Sequence, residues 1–239
     1  MSEVRSVAQR GDLFGQRVRE HCAMQPHKRL DVLVAGCAQD GPLVLEHIET
    51  RATGADEDHP VIRRLLEERG DLASWSLGDL RCVPMPPRAY DVVQVSFLLE
   101  RVRHAELVFD RLLQSLRPGG LVLLRMRDRG SAYGLLDRMT PSWLRGLLWR
   151  PLVPPGWPGP LPTVYEPLTS SDGLHAFCLS RGLMITDEMR NISGPARSRR
   201  IGAAAIAAIS RLTNDRYPAS HDEITMVIRK PQHHFARLI

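Results

Sequence analysis

Short apolar runs alternate with helical patterns through the first half of the chain, and this alternation constrains the fold more than any other feature. A strand-sized run followed by a helix-sized segment is the signature of β-α-β units in a parallel sheet. Predicted strands of this half span Leu30–Val34, Ala52–Ala55, Trp75–Leu77, Val92–Ser96 and Leu121–Arg125. Predicted helices occupy residues 41–50, 59–70 and 104–117, the last ended by Pro118, Gly119 and Gly120.

The composition changes after Gly130. Residues 141–167 contain eight prolines and three of the four tryptophans, which argues against a central strand or a long helix there. A capped helix, SSDGLHAFCLSRG, then precedes a strand, LMITDEM, and the last strand is EITMVIRK. We interpret residues 1–239 as one domain with an N-terminal helical segment (1–28). Residues 130–170 and 190–222 are two insertions that together form a cap.

Composition narrows the class of function. The formal charge is +5, but 27 acidic residues are interspersed with the basic ones, and basic runs interleaved with aromatics are missing, which argues against nucleic-acid binding. The four cysteines form no C-x-x-C pair, and no metal-ligand cluster is visible, so neither a disulfide framework nor a metal site is predicted. The N-terminus lacks an apolar signal core. We therefore expect a cytoplasmic protein with reduced thiols.

A glycine-containing turn, AGCAQDGP, follows the first predicted strand. Such a turn lets backbone N–H groups approach a ligand at the start of a helix. Gly36, Ala38 and Gly41 form a G-x-A-x-x-G pattern, and Asp56 follows 20 residues after Gly36. A carboxylate at that spacing binds ribose hydroxyls in nucleotide-binding folds, and this is the favoured role; the alternative is that Asp56 caps the helix that begins near Pro60. These features alone fit more than one cofactor class.

Residues 78–126 carry a longer and more specific pattern. It contains Gly78-Asp79, the run VPMP, Tyr90-Asp91-Val92-Val93, Ser96, and finally LRPGGL before the fifth strand. This run resembles the central segment of class I S-adenosylmethionine-dependent methyltransferases, and the resemblance covers roughly residues 28–127, with a weaker return in residues 163–189 and in the final strand. The resemblance implies a doubly wound, mostly parallel seven-stranded sheet, an antiparallel C-terminal strand, and S-adenosylmethionine as cofactor.

The resemblance also implies the cofactor site. Its residues are Gly36, Cys37, Ala38, Gly41, Asp56, Glu57, Asp79, Leu80, Val95 and Ser96. By resemblance, the turn at 36–38 would line the methionine part of the cofactor, and Asp56, with Glu57 beside it, would hold the ribose. Asp79 would accept from the adenine amino group, where the Leu80 backbone meets the ring. Val95 and Ser96 would lie beneath the sulfonium end.

The glycine-rich turn departs from the family pattern. The acidic residue common two positions before the first glycine is Val34 here, and the later glycines become Ala38 and Asp40, with Gly41 displaced by one. We expect the turn to bind the cofactor still, because an alanine adds one carbon and aspartate tolerates a positive φ. The departure nevertheless supports an alternative, a non-catalytic member of the same fold. A nicotinamide-dependent oxidoreductase, resting on G-x-A-x-x-G alone, is a weaker alternative.

Two side chains are candidates for general-base catalysis. By the same resemblance, Glu100 takes the place of the first histidine in the family's L-H-H, at the mouth where a substrate would enter, and His104 follows one helical turn later. A base removes the proton of an acceptor hydroxyl, so O-methylation of a small molecule is the favoured reaction. The alternative interpretation gives both residues a purely structural role. Glu100 would form an ion pair with Arg101 or Arg103, and His104 would lie at the start of a solvent-exposed helix. Cys37 is interpreted as a packed residue rather than a nucleophile.

The tryptophan-rich segment is the favoured substrate cover. An amphipathic helix predicted there presents five apolar side chains, Trp143, Leu144, Leu147, Leu148 and Trp149. They would roof a partly apolar acceptor. Contact with a membrane surface is a less favoured alternative, and plain packing on the sheet is the default interpretation. The segment IGAAAIAAISRL is likewise predicted to be a packed helix, and ARSRR before it an exposed charged stretch with an anionic acceptor group as the alternative.

Overall fold

One seven-stranded sheet organises the protein. The computed structural model describes residues 13–24, 29–38, 43, 45, 48–141, 163–192 and 200–232. Its strands are β1 Leu30–Ala35, β2 Thr50–Asp56, β3 Ser74–Leu77, β4 Tyr90–Ser96, β5 Leu116–Arg127, β6 Met184–Asn191 and β7 Glu223–Arg229. They are ordered β3-β2-β1-β4-β5-β7-β6. Neighbouring strands are parallel except β7, which is antiparallel to both β5 and β6. The predicted fold class is confirmed.

Helices cover both faces of the sheet. The α-helices within the described residues are α1 Leu13–Met24, α2 Pro60–Glu67, α3 Ala105–Ser115, α4 Ala132–Met139, α5 Ser171–Arg181 and α6 Arg200–Leu212, and a short 3-10 helix spans Pro167–Thr169. Their ends follow capping rules. The Ser170 hydroxyl accepts a 3.1 Å hydrogen bond from the Gly173 N–H at the start of α5, and Gly182, with φ +64°, ends that helix.

β1 is buried on both sides, as expected for a central parallel strand. Its alternate residues enter two separate hydrophobic clusters, because successive side chains of a strand point to opposite faces. Leu33 and Ala35 join the cluster that contains α3 and α5, whereas Leu30, Val32 and Val34 join the cluster of α1 and α2. The run, in which Asp31 is the one polar residue, therefore predicts burial on both faces of the sheet.

Two predicted boundaries are wrong. β5 begins at Leu116 rather than Leu121, because Leu116 pairs with Tyr90 of β4 and the register shifts before Leu121. The Pro-Gly-Gly segment thus lies inside the strand, with Gly119 at φ +82°, instead of separating helix from strand. Of the predicted helix at 41–50, five residues lie outside the described ranges. The described residues of this segment before Thr50, namely 43, 45, 48 and 49, have no regular structure, and Thr50 itself begins β2.

The described parts of the two insertions contact each other. α4 belongs to the first insertion and α6 to the second, and these helices pack together. The Ala132 N–H also donates a 3.0 Å hydrogen bond to the carbonyl of Pro218. The predicted helix around Trp143 and most of ARSRR lie outside the described residues. Within the described ranges, every helix is too short or too polar to cross a bilayer.

Candidate active site

The strand order reverses between β1 and β4. β1 connects onward to β2 on one side, whereas β4 connects to β5 on the other, so their carboxyl ends border a crevice where α/β folds bind ligands. The turn at 36–38 follows β1, and the loop at 97–104 follows β4. Gly36 has φ +75°, and a Cβ built there would overlap the carbonyl oxygen of Ser96. Only glycine therefore allows these two segments to approach each other so closely.

The turn after β1 is held by its neighbours. The Gly36 N–H donates to the Ala55 carbonyl at 3.0 Å, and the Ala38 N–H donates to Asp56 Oδ2 at 3.3 Å. The Arg69 guanidinium donates to the carbonyl of Cys37. Burial raises the pKa of the Cys37 thiol to about 12, which supports its interpretation as a packed residue. Gly41 and Asp40, the altered part of this turn, lie outside the described residues.

Asp56, at the end of β2, is fully buried. Its Oδ1 accepts a 2.9 Å hydrogen bond from Arg101 Nη2 and another of 2.9 Å from the Glu57 N–H. Arg101 is itself held by a 2.7 Å hydrogen bond from its Nε to the carbonyl of Phe97. Groups of the protein itself thus make hydrogen bonds to the Asp56 carboxylate, which the resemblance assigns to ribose binding. Arg101 and the Glu57 N–H therefore already occupy Oδ1 of Asp56.

Glu57 is the more accessible of the two neighbouring carboxylates. Its side chain is 35% exposed, whereas that of Asp56 is 0% exposed. Burial is the largest effect on Glu57 and raises the pKa of its carboxyl, against the opposing influence of Arg101. Glu57 Oε2 lies 3.7 Å from Arg101 Nη1, and that buried nitrogen makes no hydrogen bond.

Asp79 follows β3 at the same edge of the sheet. The Gly78 N–H donates to the Asp56 carbonyl at 3.1 Å, which ties the end of β3 to the end of β2. The Asp79 side chain is 45% exposed, and hydrogen bonds from Arg81 hold the pKa of this carboxyl at about 2. Leu80 beside it is buried. The edge therefore brings together the residues near 36, 56 and 79 that the sequence analysis singles out.

Glu100 lies on the other side of the crevice. Val95 and Ser96 end β4 fully buried, and the chain then turns so that Glu100 Oε1 accepts a 3.2 Å hydrogen bond from the Arg127 N–H. Its Oε2 is buried and has no hydrogen-bond partner. Burial raises the pKa of Glu100 to about 7. The predicted alternative, pairing of the carboxylate with Arg101 or Arg103, is not what the structure contains.

Tyr165 contributes a second unpaired polar group beside Glu100. The N–H groups of Val164 and Tyr165 donate to the carbonyl of Glu100 at 2.7 and 3.1 Å. The Tyr165 hydroxyl is buried without a hydrogen-bond partner, and its backbone has φ +51°. A tyrosine held at positive φ is an uncommon backbone state that clusters at functional sites.

A network of charged side chains borders Glu100 and Tyr165. Arg127 Nη1 donates to Asp222 Oδ2 at 2.7 Å, and its guanidinium lies 5.3 Å from the centre of the Tyr133 ring. The buried side chains of His221 and Asp128 meet at 2.8 Å. Among the residues the structure describes, no three His, Cys, Asp or Glu side chains are placed to hold a metal ion.

His104 occupies an exposed position at the N-terminus of α3. Its backbone N–H donates to Glu166 Oε1 at 2.6 Å, and its side chain makes no capping hydrogen bond. This location matches the structural alternative, in which His104 lies at the start of a solvent-exposed helix. The geometry offers no contact between the His104 imidazole and the Glu100 region.

Sequence reasoning missed several residues of this region, namely Arg101, Tyr165, Arg127, Asp128, His221 and Asp222. A signal existed for the last four, because β5 ends and β7 begins at one edge, where Arg127 pairs in register with Glu223. Arg101 stands directly after a predicted site residue, but no spacing rule indicates that it turns back toward Asp56. Tyr165 lies near the end of the proline-rich segment 141–167, where the chain path could not be predicted.

Comparison with known proteins identifies the fold. No protein-family model and no curated protein sequence matches the chain. A chain of the complex between the Haloferax volcanii Trm112 methyltransferase activator and a putative methyltransferase superposes with a TM-score of 0.55 and 15% identity, over 92% of this chain and 90% of that one. A putative sarcosine dimethylglycine methyltransferase from Galdieria sulphuraria gives 0.56 and 14%, over 92% and 85%.

The same fold also occurs in a protein with another named activity. The [4+2]-cyclase SpnF superposes with a TM-score of 0.52 and 15% identity, over 92% of this chain and 81% of that one. The strand order agrees with these likenesses, since β7 is inserted antiparallel between β5 and β6, unlike the order of dinucleotide-binding folds. The chain therefore has the class I methyltransferase fold, as the sequence predicts. A shared fold does not fix the chemistry.

Proposed function

We propose that this protein transfers a methyl group from S-adenosylmethionine to a small-molecule acceptor, with a hydroxyl as the favoured acceptor group. The observation that carries the proposal is the convergence of three segments at one sheet edge. Asp56 accepts from the Ala38 N–H at 3.3 Å and, through its carbonyl, from the Gly78 N–H at 3.1 Å. The turn proposed for the methionine part, the acids proposed for the ribose and Asp79 are thus immediate neighbours.

The residues at this edge have the chemistry that the cofactor needs. Glu57 and Asp79 are accessible carboxylates that can accept from ribose hydroxyls and an adenine amine. The buried Arg101 Nη1 offers an unused donor between them and β4. The turn at 36–38 supports the methionine part, above Val95 and Ser96. When bound, S-adenosylmethionine supplies an activated methyl group, so alignment and desolvation provide most of the acceleration.

On the acceptor side, we propose Glu100 as the general base. A pKa of about 7 places its carboxyl near neutral pH, where a base is most effective. Its unpaired Oε2 would accept the proton of the acceptor hydroxyl, and bound S-adenosylmethionine would supply the methyl group and leave as S-adenosylhomocysteine. The unpaired Tyr165 hydroxyl beside it is suited to hydrogen bonding the acceptor. His104, exposed at the start of α3, is the weaker of the two predicted bases.

The polarity of the acceptor is proposed from the helices of the two insertions. The packed helices α4 and α6 are proposed as the described part of the cap over a partly apolar small molecule. Contact between this cap and a membrane surface is not favoured. We assign the reaction to the cytoplasm, where the four free cysteines remain reduced.

A direct experiment measures release of S-adenosylhomocysteine from S-adenosylmethionine in the presence of a panel of hydroxyl-, amine- and thiol-bearing small molecules. The proposal predicts turnover with at least one hydroxyl compound. Cofactor binding by isothermal titration calorimetry without turnover on any acceptor would argue against methyl transfer.

A second candidate is a non-catalytic member of the fold. The observation in its favour is the Asp56–Arg101 ion pair, which satisfies the carboxylate in the ribose position from within the chain. Calorimetry separates the candidates, because this one predicts no heat with S-adenosylmethionine or S-adenosylhomocysteine. A response to reduced nicotinamide in fluorescence titration would instead favour an oxidoreductase.

Asp79 provides a test of the adenine end of the site. We expect Asp79→Ala to weaken binding of S-adenosylhomocysteine roughly tenfold or more, because a charge-assisted hydrogen bond is lost. Asp58→Ala is the matched control, since Asp58 is a similarly exposed carboxylate paired with Arg63 near the same edge. An equal affinity of the two variants, measured by calorimetry, would remove Asp79 from the site.

A further inference from the structure

Arg101 and Glu57 form an incomplete donor–acceptor pair at the carboxyl edge of β2. Arg101 Nη1 and Glu57 Oε2 lie 3.7 Å apart, which is too far for a direct hydrogen bond. The guanidinium is almost fully buried, yet Nη1 has no hydrogen-bond partner. Buried polar groups normally have a partner, so an unpaired buried donor beside a partly exposed carboxylate indicates a position for a ligand group.

The rest of the Arg101 side chain is fixed in place. Its Nε donates to the Phe97 carbonyl at 2.7 Å and its Nη2 donates to Asp56 at 2.9 Å. Asp56 in turn accepts from the N–H groups of Ala38 and Glu57. Breaking a buried ion pair by removing one partner is strongly destabilising. A ligand that displaced Arg101 would bear that cost, whereas a ligand that used Nη1 would not.

We propose that Arg101 and Glu57 together bind the vicinal diol of the nucleoside, and that Asp56 acts as a positioning residue that orients Arg101. Each hydroxyl of a ribose both donates and accepts, so one hydroxyl can accept from Nη1 while donating to the Glu57 carboxylate. This assignment rests on the proposed function. It moves the ribose contact from Asp56 to its neighbour and adds a donor from the loop after β4.

Arg101 and Glu57 should also distinguish a ribose from a 2′-deoxyribose. A site that hydrogen bonds a hydroxyl rejects the analogue lacking it, because the buried polar groups are then left unpaired. The protein should therefore bind S-adenosylhomocysteine more tightly than its 2′-deoxy analogue, and Arg101 should account for part of the difference.

The test compares Arg101→Lys with wild type by calorimetry, using S-adenosylhomocysteine and its 2′-deoxy analogue. Lysine keeps a charge against Asp56 but has no second nitrogen to take the place of Nη1. We expect roughly tenfold weaker binding of S-adenosylhomocysteine and a reduced preference over the deoxy analogue. Arg103→Lys, an exposed residue of the same loop, is the matched control and should bind as wild type does.

Other outcomes overturn the inference in distinguishable ways. If Arg101→Lys binds S-adenosylhomocysteine as tightly as wild type, Arg101 does not contribute to binding; if the variant binds more tightly, Arg101 hinders binding. Either result overturns this inference and leaves the proposed function standing. If wild type binds neither compound, the proposed function is lost as well. If circular dichroism shows that Arg101→Lys does not fold, Glu57→Gln is the second variant to test, because the Glu57 side chain is partly exposed and its replacement should leave the fold intact. An unchanged affinity for S-adenosylhomocysteine and an unchanged preference over the deoxy analogue would then overturn the diol contact.

Discussion

Replacement of Glu100 by glutamine is expected to lower turnover by roughly 10²- to 10⁴-fold, the range typical of a lost general base. Glutamine keeps the shape and the oxygen that accepts from the Arg127 N–H, but it cannot take a proton. Binding of S-adenosylhomocysteine should be unchanged, because Glu100 faces the acceptor side of the crevice. The measurements are steady-state kinetics with an acceptor from the panel and calorimetry with the product.

The pH dependence provides a second readout. The base acts when ionised, so kcat/KM should rise with pH through about 7 in wild type, and this limb should be absent from Glu100→Gln. Glu106→Gln, an exposed change in the first turn of α3, is the control and should behave as wild type does. Equal turnover by Glu100→Gln and wild type would contradict the assignment of the base.

Stability gives a readout that needs no acceptor. The pKa of Glu100 is raised from 4.5 to about 7 in the folded protein, so its stabilising contribution is complete below 4.5 and is lost as pH rises through about 7. Between pH 5 and pH 8, wild type should therefore lose stability relative to Glu100→Gln, by on the order of 1–3 kcal/mol. Urea denaturation of both proteins at the two pH values measures this difference.

Replacement of Gly36 by alanine is expected to be the most damaging single change in the cofactor half of the site. The new Cβ would overlap the Ser96 carbonyl oxygen, and alanine is strained at φ +75°. We expect a loss of about 2–5 kcal/mol in the free energy of unfolding and no detectable binding of S-adenosylhomocysteine. Denaturant titration and calorimetry measure the two effects.

Gly70→Ala is the matched control for this change. Gly70 ends the segment after α2, and a Cβ there would meet no heavy atom within 4 Å. Its stability should stay within about 0.5 kcal/mol of wild type. If Gly36→Ala unfolds at the same urea concentration as this control and still binds the product, the close approach of the turn to β4 is not required.

The fold could be predicted because its determinants are local and repeated. Mostly apolar runs such as Leu30–Val34 predict buried strands, and the cap residues Ser170 and Gly182 predict the ends of α5. The error at β5 arose because proline and glycines usually separate elements. Here the pairing of Leu116 with Tyr90 extends the strand past them. Tertiary pairing overrides a local turn signal in such a case.

The site could be predicted only in part. The resemblance to the methyltransferase family groups the residues near 36, 56 and 79, and their positions after successive parallel strands, which end at the same edge, agree with that grouping. The sequence could not indicate whether the Asp56 or the Glu57 carboxylate is exposed, since that depends on the direction taken by the Arg101 side chain. The raised pKa of Glu100 was equally hidden, because it depends on burial by segments distant in sequence, including the one around Tyr165.

The central claim is that a nucleoside with a sulfonium or thioether group lies across the carboxyl edge of this sheet. A crystal structure of the protein with S-adenosylhomocysteine tests it most directly. We predict density that extends from the turn at 36–38, past Glu57 and Arg101, to Asp79. Density for the ligand away from these residues, with the crevice filled by the protein's own side chains, would contradict the account.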